Sequence, residues 1–158
     1  MNEKMMLLVA ILPGCMTPPP GHCAPLAHER MPHAAAWLAS QGYDVDIRKY
    51  DVYYGTQDEP ICDGKAVSGC THLLADTIEI RWPDGQGPGP AALGEPVLVH
   101  ELLHVWLWQT QADVPQGLRA DPEHERDDLF GHRGTGSVVD QAYEHWSHCR
   151  YYDYPAAD

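Results

Sequence analysis

Three observations predict an α+β fold for this 158-residue chain. Apolar residues recur at helical spacing near both ends, residues 77–82 alternate strictly, and the apolar run around His100-Glu101-Leu102-Leu103-His104 is too long for a strand. The expected order is an N-terminal helix, a small and mostly antiparallel sheet, a buried helix carrying the His-Glu-x-x-His segment, a long loop and a C-terminal helix. A chain of this size suits one domain with a real core.

Taken in order, Met31, Ala34, Ala35, Trp37 and Leu38 carry helical spacing from about Ala27 to Gln41, and Gly42 ends the run. Val45 and Ile47, then Tyr50, Val52 and Tyr54, predict a strand whose phase slips at a bulge. Thr77-Ile78-Glu79-Ile80-Arg81-Trp82 reads as a half-exposed strand at the sheet edge. The Pro- and Gly-rich residues 83–90 read as a surface loop. Pro96 falls in the first turn of the next helix, where its missing N–H costs nothing. From Gln111 to about Gly136 the chain is polar and turn-rich, and a loop this long in a small domain is functional or disordered. Val138, Val139, Ala142, Tyr143, Trp146 and Cys149 line one face of the closing helix, opposite Asp140, Gln141, Glu144 and His148.

The segment His100-Glu101-Leu102-Leu103-His104 carries the chemistry. Two histidines four apart on a helix share a face, so both imidazoles can reach one zinc ion. Glu101 beside them is placed to take a proton from water as a general base. The flanking residues, Val97-Leu98-Val99 and Val105-Trp106-Leu107-Trp108, are apolar on nearly every side, so the helix is buried and its polar side chains need partners.

Catalytic zinc takes a third protein ligand and leaves a fourth position to water. An extended motif with glycine three residues after the second histidine and a third histidine three later is excluded, because Leu107 and Thr110 stand there. Candidates remain further on: Asp121, His124, His132 and Glu144. His132, His145 and Tyr143 are candidates to stabilise an oxyanion. His22, His28, His33, His72 and His148 read as surface or packing residues, as does His145 if it has no such role.

His100 to Gln109 resembles the active-site helix of SprT-like and related small zincin metallopeptidases. In those families a third histidine follows in a loop, before a polar stretch that ends in an aromatic. The resemblance therefore implies a zincin-like fold, one Zn2+ ion and peptide-bond hydrolysis, with His124 as third ligand in Asp121-Pro122-Glu123-His124, ahead of Phe130. Gly131-His132 keeps a glycine common before that histidine and stays a rival, and Glu144 matches a branch that takes a glutamate from a later helix. The resemblance covers about Val97 to Phe130.

The N-terminus reads as an export signal. Lys4 precedes the apolar run 5–12, too short to span a bilayer, and Leu12-Pro13-Gly14-Cys15 resembles a bacterial lipobox with Cys15 as the lipidated residue. The expected organisation is a signal peptide at 1–14, a Pro-rich tether at 15–26 and a catalytic domain at 27–154. Removing Cys15 leaves four cysteines, which an oxidising compartment would pair. Cys62 and Cys70 flank a short loop, so Cys62–Cys70 and Cys23–Cys149 are the expected pairs. Acidic residues outnumber basic ones 23 to 10, for a formal charge of -13, which argues against a nucleic-acid partner. The sequence thus points to an envelope-tethered zinc metallopeptidase acting on peptides or proteins. An inactive zincin-like binding module and a structural envelope lipoprotein are the other readings.

Overall fold

The computed structural model describes residues 29–55, 60–81, 95–131 and 134–147. The expected signal, tether and lipidation site, and the Cys23–Cys149 pair, lie outside them. Among the described residues the chain is mixed α+β, with four helices and two small sheets.

Helix α1 (Arg30–Ser40) buries Ala34, Trp37 and Leu38. It stops as the glycine predicts. Gly42 turns left-handed (φ 94°), its N–H reaches the Ala39 carbonyl, and the Tyr43 N–H reaches that of Leu38. This paired closure satisfies carbonyls that the helix end leaves open. The expected bulged strand after it is corrected. Residues 43–47 are irregular, and the Tyr50 N–H donates to the Ile47 carbonyl across a turn, so only β1 (Asp51–Gly55) is a strand. The phase slip in the apolar pattern is this turn.

Strands β2 (Ile61–Cys62) and β3 (Lys65–Ala66) form an antiparallel hairpin. Strand β4 (Gly69–His72) follows, and a disulfide joins Cys62 to Cys70 with Cα atoms 5.7 Å apart. Strand β5 (Thr77–Arg81) buries Ile78 and Ile80 and leaves the residues between them half-exposed, as its alternation predicts. Its place differs from expectation. The sheet order is β1-β5-β4, with β5 parallel to β1 and antiparallel to β4, so 77–81 is the central strand and β4 an outer one.

Helix α2 (Glu95–Thr110) packs against α1, β4 and the last helix, α4 (Val138–His145). Val97, Leu98, Val99, Leu102, Leu103, Val105 and Leu107 are buried, so this helix is the axis of the core. Its first turn is tied to α1, where Glu95 Oε1 and His33 Nδ1 lie 3.8 Å apart in the interior. Short helix α3 (Asp127–Phe130) ends the loop 111–126. Ser137 caps α4, accepting from the Asp140 N–H at 3.1 Å while donating to the Gly131 carbonyl at 2.8 Å. Asp140, expected on the solvent face, is buried instead, because its carboxylate accepts the N–H groups of Gly134 and Gly136.

Candidate metal centre

His100 and His104 stand one turn apart on α2, as their spacing requires. The third member comes from the loop. His124 Nε2 lies 3.2 Å from His100 Nε2 and 3.1 Å from His104 Nε2, and the two helical nitrogens are 3.3 Å apart. Three imidazole nitrogens therefore converge on one point.

The loop is built to deliver His124. Arg119 Nη2 donates to the Ala112 carbonyl and Nε to that of Val114, which draws the first loop turn together. Asp121 accepts the backbone N–H groups of Glu125 and Arg126 on its two carboxylate oxygens, and the His124 N–H donates to the Asp121 carbonyl. Both Asp121 (φ 52°) and His124 (φ 53°) are left-handed. Asp and His tolerate that region better than most residues, yet each costs about 1–2 kcal/mol there. The Asp121 clamp offsets that strain and fixes the loop.

The chemistry of the donors fits zinc. Bonds of ~2.0–2.1 Å at tetrahedral angles set nitrogen separations of roughly 3.3–3.4 Å, close to those found here. His104 Nδ1 lies 2.6 Å from the Ala120 carbonyl. A carbonyl only accepts, so Nδ1 carries the proton and Nε2 presents a lone pair to the centre. Burial lowers the His100 pKa to about 3 and that of His104 to about 4, with the neighbouring histidines adding to the effect, and lowers that of His124 as well. The imidazoles are thus held neutral, and a neutral imidazole can present a lone pair from the nitrogen at the point of convergence.

Beneath the three rings lies Phe130, the chain's one phenylalanine. Its ring stacks on His104 at 4.6 Å between centroids, and it stands 5.0 Å from the His100 ring and 4.8 Å from that of His124. The imidazoles cannot swing inward without displacing it.

Glu101 points to β4. It is 4 % exposed. The Thr71 hydroxyl donates to Glu101 Oε2 at 2.7 Å. Burial raises the carboxyl pKa to about 7, against a smaller lowering by that hydrogen bond. Gly69 lines the other side. A Cβ there would lie 2.6 Å from Glu101 Oε1 and 2.8 Å from Val97 Cγ1, so only glycine leaves room for the carboxylate.

Among the described residues, His100, His104 and His124 form the one group of this kind. Asp121 spends both oxygens on the loop backbone, and Glu144 stands exposed on α4, outside the group. His132 lies outside the described residues. His145 packs on Trp37 and Trp146, and Tyr143 packs against the core. Sequence reasoning missed Gly69 and Thr71. Both touch Glu101 from about thirty positions away, and a glycine and a threonine in a short strand signal nothing by themselves.

No known protein family, curated protein or solved structure matches the chain.

Proposed function

We propose that this chain is a zinc-dependent peptidase of the zincin type, tethered in the cell envelope. One juxtaposition carries the reading: three neutral imidazole nitrogens within 3.1–3.3 Å of one another, with a buried carboxyl on the residue after the first histidine. His100, His104 and His124 would hold the ion, and zinc bound there supplies Lewis acidity that polarises a carbonyl and acidifies water.

The chain's own residues do the rest. Glu101, with a pKa raised to about 7, is balanced near neutrality between accepting and releasing a proton. It takes a proton from water as the peptide bond is attacked and gives it to the departing amine. The Thr71 hydroxyl holds Oε2 so that the carboxylate keeps one orientation. A peptide would lie along the outer side of β4, because β5 has both its edges paired and β4 carries Thr71 beside Glu101. The lipobox-like Leu12-Pro13-Gly14-Cys15 and the disulfide of Cys62 with Cys70 support an oxidising, envelope location.

The test is Glu101→Gln in the zinc-loaded protein. It should keep one zinc per chain by elemental analysis and lose cleavage of a mixed peptide library by at least about a hundredfold. Wild-type protein that holds no stoichiometric zinc would refute the metal centre. Zinc without cleavage would leave a binding module.

A further inference from the structure

One helical turn along α2 from His104, at Trp108, lies an open groove of about 680 Å³. Its walls are the β4–β5 turn (residues 72–75), Trp108 on α2, and Gln116 and Gly117 of the loop. Each wall is joined along the chain to a residue of the site. His72 follows Thr71, the partner of Glu101. Trp108 lies one turn beyond His104 on the same helix face, about 6 Å along the axis. Gly117 lies on the loop whose Ala120 carbonyl accepts from His104.

The lining of the groove is mostly apolar. Leu73, Leu74, Ala75 and Trp108 face it, and Leu74 is 80 % exposed. Scattered exposed leucines need no explanation, but one that lines a groove a helical turn from a candidate metal centre offers surface to a ligand. Trp108 is held in place by the Arg119 guanidinium, 4.9 Å above its ring. Arg119 also donates to the carbonyls of Ala112 and Val114, so one side chain fixes both the indole and the loop wall. The spacing suits an extended peptide, in which alternate side chains on one face are roughly 6.5–7 Å apart.

We infer that this groove is the specificity subsite of the enzyme and takes an apolar side chain, leucine, methionine or phenylalanine, within two residues of the bond that is cut. The inference rests on the peptidase reading and adds the substrate class to it. Side-chain selection comes from burial against Leu74 and Trp108, and a charged side chain would have to leave water without a partner.

Two substitutions test it. Leu74→Glu puts a charge on an exposed turn position, where folding does not depend on it. Gly117→Phe puts a ring on the groove wall, and a Cβ at Gly117 meets no atom within 4 Å. The zinc-loaded full chain is incubated with blocked random octapeptides, and cleavage positions are read by mass spectrometry. The expected result is an apolar preference at one position beside the cut. In matched peptides the kcat/KM ratio of leucine over alanine there should be roughly tenfold, falling toward unity in both variants while zinc stays at one per chain. Cleavage with no apolar preference, or a preference that both variants keep, overturns the subsite and leaves the peptidase standing. No cleavage of any peptide by zinc-loaded wild type overturns both. Elution of wild type as a dimer that Gly117→Phe makes monomeric assigns the groove to a second copy and also overturns it.

Discussion

At the scale of single residues, the centre depends on groups that hold other groups still. Thr71 is the clearest. Its hydroxyl donates to a buried carboxylate, a bond worth roughly 1.5–3 kcal/mol when one partner is charged. Thr71→Val keeps the shape and removes the donor. Turnover of a cleaved peptide should fall about 10- to 100-fold in kcat with KM and zinc content little changed, and Thr71→Ser should restore most of it. A valine variant with full kcat would remove Thr71 from the machinery. The histidines were legible from spacing alone, because four residues on a helix return to the same face. His124 was one of four candidates that spacing alone could not separate, since loop geometry has no period. Thr71 and Gly69 were not legible at all, because β4 meets α2 only once the chain has folded. Asp140 misled for a related reason. Helical periodicity put it outside, and two glycine N–H groups pulled it in.

At the scale of elements, the long periodic pieces followed expectation and the short ones did not. α1, α2 and α4 lie where their apolar spacing put them, because a helix buries a stripe that the sequence displays. Strand order is a pairing between distant segments, so nothing local distinguishes a central β5 from an edge one. The disulfide is the element-scale device closest to the centre. Cys70 sits between Gly69 and Thr71, the two residues against Glu101, and its bond to Cys62 ties that strand to the β2–β3 hairpin. Replacing both cysteines with serine reopens a short loop, at a cost of about 2–3 kcal/mol. The urea midpoint of the double variant should drop accordingly, and its kcat should drop with it because β4 loses its anchor. Equal midpoints for the variant and the oxidised parent would show that the bond constrains nothing the fold does not already fix.

For the whole molecule, the cluster of neutral imidazoles links folding to acidity and to metal. In the metal-free fold His100 and His104 titrate at about 3 and about 4, below the ordinary 6.5, and His124 is lowered too. The unfolded chain therefore binds protons that the folded chain refuses as pH falls below about 6.5, so stability declines toward pH 4. Glu101 acts in the opposite sense. Its folded pKa of about 7 lies above the ordinary 4.5, so its stabilising contribution is complete below 4.5 and is lost as pH rises through 7. Three imidazoles against one carboxyl leave a net loss on acidification. Denaturant midpoints of the metal-free protein should fall from pH 7 to pH 5. Saturating zinc should raise the midpoint at pH 7 and add progressively less in acid, where protons compete for the same nitrogens. A midpoint that rises on acidification would mean the imidazoles are not held neutral by the fold.

Gly69 also sets a condition on descent. Its missing Cβ is filled by Glu101 and Val97, so the three positions cannot drift independently. A related chain that keeps the glutamate must keep glycine at position 69, or shrink the residue at 97 and shift the strand together. A relative with a side chain at 69 should have lost the acid at 101, and would mark a lineage in which the histidines outlasted the carboxylate beside them.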